Sequence, residues 1–157
     1  MDALLTTIVL WLSVNFNLPG TPDLPKVEFV RPIEISFFRY QAFTAEAQRQ
    51  VIASQASNNT NTSDGRREVV AVYDARRNRI LLPHGWNGQT PAELSVLVHE
   101  TVHHLQNKAG TKYACPAERE KLAYEAQEKW LGLFGLTLQG EFEIDPFTLK
   151  VSTSCGF

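Results

Sequence analysis

Two histidines four residues apart, His99 and His103, enclose Glu100 in a complete His-Glu-x-x-His. On an α-helix, side chains at i and i+4 lie one above the other, so both imidazoles can reach one metal ion, and Zn2+ is the usual occupant. Glu100 leaves the helix at an angle that makes it a poor third ligand. Its carboxylate can instead take a proton from a water on that metal, as the general base of metal-assisted hydrolysis does. Three fixed positions also arise by chance, and a stacked histidine pair can be a feature of a core. The surroundings decide between these readings. Leu94, Leu97, Val98, Val102 and Leu105 recur at helical spacing, so the motif lies on a buried helix, where ionisable groups without partners are costly. One zinc per chain is the expected cofactor.

A catalytic zinc needs a third protein ligand and an open position. After the motif, Cys115-Pro116 opens a second helix, expected from Ala117 to about Phe134, which carries Glu118, Glu120, Glu125 and Glu128. Ala123, Tyr124, Gln127, Trp130, Leu131 and Phe134 share the stripe that must face the core, and Glu120 begins that stripe. Glu118 and Glu125 fall on the far side and Glu128 on the flank. A carboxylate at the head of a buried stripe requires a partner, so Glu120 is the expected third ligand, with Glu118 next.

The elements that position these residues follow from the flanking sequence. Thr90 and Pro91 read as the N-cap and first turn of the motif helix. Ahead of them, Glu68 to Tyr73 and Arg79 to Leu82 are β-rich runs joined by Asp74 to Asn78, a hairpin that leads into the metal helix. His84 reads as a residue of the connecting loop. Further upstream, residues 1–18 read as a packed N-terminal helix with Leu4 or Leu5, Ile8, Leu12 and Phe16 on one side, stopped by Leu18-Pro19-Gly20. The acidic flank at Asp2 and the lack of a small-x-small site argue against a signal peptide. Pro19, Pro22, Pro25 and Pro32 imply an extended path over residues 19–34, with a short strand at Val27 to Val30. A helix capped by Thr44 uses Ala47, Val51 and Ile52, and residues 54–67 form a polar, mobile loop. Beyond the second helix, Phe142 to Val151 is expected to be a strand or an irregular lid.

Composition narrows the function classes. Lys+Arg 15 against Asp+Glu 17 gives a net charge of −2 and no basic footprint, so nucleic acid is not an expected partner. No run of 18 or more apolar residues could span a bilayer, and no repeat is visible. The 157 residues fit one domain, with its metal-site core at residues 68–134. Cys115 and Cys155 have no metal spacing. They are two buried thiols, a disulfide, or, less simply, a thiol pair whose Cys115 ligates the metal. A disulfide would close a loop of about forty residues, stabilise by on the order of 3 to 4 kcal/mol, and imply an oxidising compartment, periplasmic or extracellular, where reduced thiols would imply the cytoplasm.

His99-Glu100-x-x-His103 followed by Glu120-x-x-Ala123 resembles the gluzincins, zinc metallopeptidases whose third ligand is a glutamate on a later helix. The short spacing is similar to small, single-domain bacterial gluzincin-like families of uncharacterised function, and the resemblance covers roughly residues 68–134. It implies a zincin-like α+β fold, with a small twisted antiparallel or mixed sheet beside the two helices. It also implies a peptide or protein substrate paired with an edge strand, a role that falls by position to Arg79 to Leu82. A group that steadies the tetrahedral oxyanion is implied as well, for which Tyr124 and His104 are the candidates. The chain lacks the continuation of a metzincin, since Gln106 and Lys108 stand where Gly-x-x-His would begin. The expected activity is hydrolysis of peptide bonds by a zinc-bound water activated by Glu100. The alternative is a zincin-like module that keeps the metal for structure or recognition.

Overall fold

The computed structural model describes residues 1–40 and 71–156. The helix expected after Thr44 and the loop at 54–67 lie outside the described residues, as do residues 68–70 of the first hairpin run. In chain order the described elements are α1 (Asp2–Phe16), β1 (Lys26–Val30), α2 (Pro32–Tyr40), β2 (Val72–Asp74), β3 (Arg79–Pro83), α3 (Pro91–Lys108), α4 (Pro116–Gly132), α5 (Leu138–Phe142) and α6 (Pro146–Ser152). The class is α+β, with six helices and one small mixed sheet.

The N-terminal helix forms as expected. Leu5, Ile8, Val9 and Leu12 are its buried face, and Asn17 ends it in the left-handed conformation that an asparagine tolerates. The strand expected near Val27 is β1. The extended path expected over residues 19–34 is broken by α2, because Pro32 takes the first helical position and the Glu34 carboxylate accepts from the Arg31 backbone N–H (2.8 Å). Proline at that position starts a helix at no cost in hydrogen bonds.

β3 is the middle strand. It pairs parallel with β1 (Val27 opposite Ile80) and antiparallel with β2 (Tyr73 opposite Ile80). The expectation that Arg79 to Leu82 forms the substrate-binding edge is therefore wrong. Both of its sides are occupied, because β1 arrives from a distant stretch whose pairing no local pattern announces. Along β3, Ile80 and Leu82 join the core made with α1, α3 and α4. Leu81 is fully buried on the opposite face, the side where α2 buries Ile35. Arg79 is held there by Asp74 (3.1 Å) and by the Glu28 carboxylate, with its guanidinium over the Phe38 ring.

A capping box fixes the start of α3: Thr90 Oγ1 accepts from Glu93 N and the Glu93 carboxylate accepts from Thr90 N. Leu97, Val98, Val102 and Leu105 are fully buried on this helix. Against it packs α4, whose Trp130 meets Trp11 of α1 edge to face at 5.3 Å. The tail is neither strand nor irregular lid. Thr137 caps α5 and Asp145 caps α6, with Pro146 at its first position, so local capping chemistry makes two short helices there. Cys115 and Cys155 are disulfide-bonded, with Cα atoms 5.9 Å apart, which ties the end of the chain to the N-cap of α4. No helix among the described residues is long and apolar enough to cross a membrane.

Candidate metal centre

Three atoms from the two central helices converge. On α3, His99 and His103 stack one turn apart, with their Nε2 atoms separated by 3.2 Å. From the first turn of α4, Glu120 Oε2 lies 3.1 Å from His99 Nε2 and 3.2 Å from His103 Nε2. The cluster could hold a metal ion. Its edges test the fit: three ligands of a tetrahedral ion with edges near 3.2 Å stand about 2.0 Å from the centre, the usual metal–nitrogen and metal–oxygen range. The stripe that assigns Glu120 to the core face of α4 thus also brings it to the histidines.

Hydrogen bonds behind the rings fix their orientation. His99 Nδ1 lies 3.0 Å from Gln127 Oε1, and Gln127 Nε2 donates to Ser95 Oγ (3.2 Å). The Ser95 hydroxyl is itself spent on the Ala92 carbonyl (2.7 Å), so its oxygen is left to accept and the amide must present its own oxygen to His99. His103 Nδ1 lies 3.0 Å from Gln106 Oε1, while Gln106 Nε2 donates to the Arg119 carbonyl (3.0 Å). A carboxamide oxygen only accepts, so these contacts favour rings protonated at Nδ1 with the Nε2 lone pairs turned toward Glu120, while at His103 the Arg119 Nε–H also points at Nδ1 (3.1 Å) and favours the other tautomer. With both rings protonated at Nδ1, three acceptors face one another and could hold a cation.

Without a cation, protons take its place. Burial acts to raise the Glu120 pKa, but hydrogen bonds from His103 and His99, followed by their charges, hold it far below the carboxylate range. Burial acts in the opposite direction on His103. The hydrogen bond to Glu120 and the charges of Glu100 and Glu120 prevail and raise its pKa above the ordinary value.

The other expected site residues separate. Glu100 is buried, and its Oε2 accepts the Tyr73 backbone N–H at 2.8 Å. That N–H points away from β3, so among the described residues β2 is the sheet edge that meets the site. Tyr124 packs its ring edge on to His99, with centroids 4.7 Å apart. His104 does not belong to the centre. It is fully buried on another side of α3, donates from Nε2 to the Asp23 carbonyl (2.8 Å) and sets Nδ1 3.4 Å from the Tyr73 hydroxyl. One residue turns a helix by about 100 degrees, and that step carries His104 from the metal to the α1–β1 connection. Glu118 accepts from Ala114 N (2.7 Å) and Glu128 from Leu138 N (2.6 Å), so neither reaches the histidines. His84 is an exposed loop residue. Cys115 is taken by its disulfide and is not a ligand.

Gln106, Gln127, Ser95 and Arg119 are members of the site that the motif does not announce. The available signal was polarity out of place: Gln127 interrupts an apolar stripe, and Gln106 stands one turn after His103 on a buried helix.

A family model described as a domain of unknown function, DUF6647, matches residues 42–156, and the chain belongs to that family. The matched span contains every residue of the centre and excludes α1, β1 and α2. No curated protein and no solved structure matches the chain.

Proposed function

We propose that this DUF6647 member is a zinc-dependent metallopeptidase in which His99, His103 and Glu120 hold the ion and Glu100 is the general base. The observation that carries the proposal is the convergence of two imidazole nitrogens and one carboxylate oxygen, each histidine backed by a glutamine, beside a buried carboxylate that is not a ligand. Two nitrogens and one oxygen in a near-equilateral triangle match the donor set of catalytic zinc, which takes three protein ligands and keeps a fourth position open for water. When bound there, zinc would lower the pKa of a water and polarise a carbonyl.

The side chains divide the remaining work. Tyr73 N–H anchors Glu100 through Oε2, which leaves Oε1 to receive a proton and return it to the departing amine. Tyr124, against His99, is the group nearest to the role of steadying the carbonyl oxygen. The disulfide fits an oxidising compartment, so a periplasmic or secreted enzyme is part of this reading.

One observation favours a second reading. Because Glu100 ties β2 to α3, it has a structural task without any chemistry, and a non-catalytic metal-binding module would keep it too. Glu100→Gln separates the two. The variant should bind one zinc per chain and lose hydrolysis of a broad peptide library that the wild type cleaves. A wild type that binds zinc and cleaves nothing in the library would leave the binding module standing and remove the peptidase.

A further inference from the structure

We infer that Arg119 and Gln106 compete for one nitrogen of His103 and so set how readily that ring becomes a metal ligand; the inference rests on the zinc site proposed above. Gln106 Oε1 and Arg119 Nε both lie against His103 Nδ1, at 3.0 and 3.1 Å. The carboxamide oxygen only accepts and the guanidinium N–H only donates, so no single tautomer satisfies both. With the proton on Nδ1, the ring donates to Gln106 and turns the Nε2 lone pair toward Glu120, the arrangement a ligand needs. With the proton on Nε2, Nδ1 accepts from Arg119 and Nε2 donates to Glu120 Oε2 at 3.2 Å, an arrangement that satisfies both ring nitrogens without a metal.

His99 has no such choice. Its Nδ1 meets the Gln127 oxygen, and Ser95 fixes the orientation of that amide. His99 is therefore preset as a ligand, and His103 is conditional. The two competitors also differ in what they lose. Arg119 is half-buried, so its displaced N–H can reach water, whereas Gln106 is 2% exposed and its oxygen would be left without a donor. Arg119 acts as a positioning residue that favours the metal-free arrangement and yields when an ion arrives. Gln106 is the positioning residue that favours the loaded one.

The test uses the full chain at about pH 9, because, against the effect of burial, the Glu120 and Glu100 carboxylates hold the His103 proton above the ordinary imidazole range. Arg119→Met removes the donor and keeps an apolar stem, and Gln106→Leu removes the acceptor. Nitrogen NMR of the metal-free proteins reads the His103 tautomer, and competition with a chromophoric chelator reads zinc affinity. Arg119→Met should move His103 toward Nδ1–H and tighten zinc several-fold. Gln106→Leu should move it toward Nε2–H and weaken zinc by about ten- to a hundred-fold, the usual range for losing an outer partner. Gln106→Glu keeps an acceptor and should hold the Nδ1–H tautomer, which preserves the test if the leucine variant does not fold. His99 should keep its tautomer throughout. Weaker zinc in both Arg119→Met and Gln106→Leu, or one His103 tautomer in all the proteins, would overturn the competition. A wild type that binds no zinc sinks the metallopeptidase reading instead, and the tautomer measurement still decides the competition.

Discussion

Replacing Glu120 by alanine tests the geometry of the centre most directly. Glu120 supplies one of three converging atoms and the only anionic one. Its loss should weaken zinc by at least the hundred-fold upper end seen when mere outer partners are removed. The consequence for stability follows by linkage. Zinc at a thousand times the wild-type Kd stabilises the fold by about 4.1 kcal/mol, and at the same concentration a hundred-fold weaker site gives about 1.4 kcal/mol. At about 2 to 4 °C per kcal/mol for a chain of this size, zinc should raise the wild-type Tm by about 8 to 16 °C and that of Glu120→Ala by about 3 to 6 °C. With a chelator present the two proteins should melt much closer together, because Glu120 then gives up hydrogen bonds but also the cost of being buried. Scanning fluorimetry with and without zinc gives all four values. An equal zinc shift in both proteins would refute the assignment of Glu120, and with it the claim that α4 completes the site.

Glu100→Ala should cost about 1 to 3 kcal/mol by orphaning the buried Tyr73 N–H, whereas Glu100→Gln keeps a carbonyl acceptor and should melt near the wild type; equal destabilisation in urea titrations would deny the contact. Reducing the Cys115–Cys155 bond releases a 40-residue separation, worth about 4 kcal/mol in the chain-entropy model, so Tm should fall by about 8 to 16 °C with reductant, and no shift would refute it. Burial pushes the His104 pKa down, so the stability it contributes is complete above about pH 6.5 and is lost as pH falls through its lower folded value. Metal-free wild type should therefore lose more Tm than His104→Gln between about pH 7.5 and 5.5. His103, shifted the other way, contributes in the opposite sense to both proteins and largely cancels in the comparison.

The site could be read from the sequence as far as helical phase reaches. His99, His103 and Glu120 were available because two helices with opposed apolar stripes have few ways to meet, and each stripe names its own inward residues. The gluzincin resemblance implied an oxyanion group, and His104, one turn after Glu100, was a candidate for it. It failed because a shared helix edge does not fix a shared neighbour: the Asp23 carbonyl, from a connection more than eighty residues upstream, takes that ring. Strand order failed for a related reason. The hairpin of β2 and β3 is local, but the parallel partner β1 comes from before α2, and nothing in Val27 to Val30 indicates which strand it joins. The tail was misread because Asp145-Pro146 and Thr137 are helix-start signals only when weighed against the β-tolerant Phe142 to Ile144 beside them.

The centre draws its parts from two sources that meet only on α3. Ligand geometry is set between helices: His99 and His103 are oriented by glutamines on α3 and α4, and Glu120 follows a disulfide-tethered N-cap by five residues. The position of Glu100, the proposed base, is set by the sheet, since its carboxylate takes a hydrogen bond from β2. Tyr73 reinforces that link, because its backbone holds Glu100 while its hydroxyl lies among Asn78, His104 and Asn107. Changes to the hairpin should therefore move Glu100 and leave the three converging atoms of His99, His103 and Glu120 in register, whereas changes at the start of α4 should do the reverse. His104, which lies away from the metal cluster, gains its meaning here: it braces Tyr73, which holds Glu100, and through the Asp23 carbonyl it joins the segment before β1 to the centre of the family core.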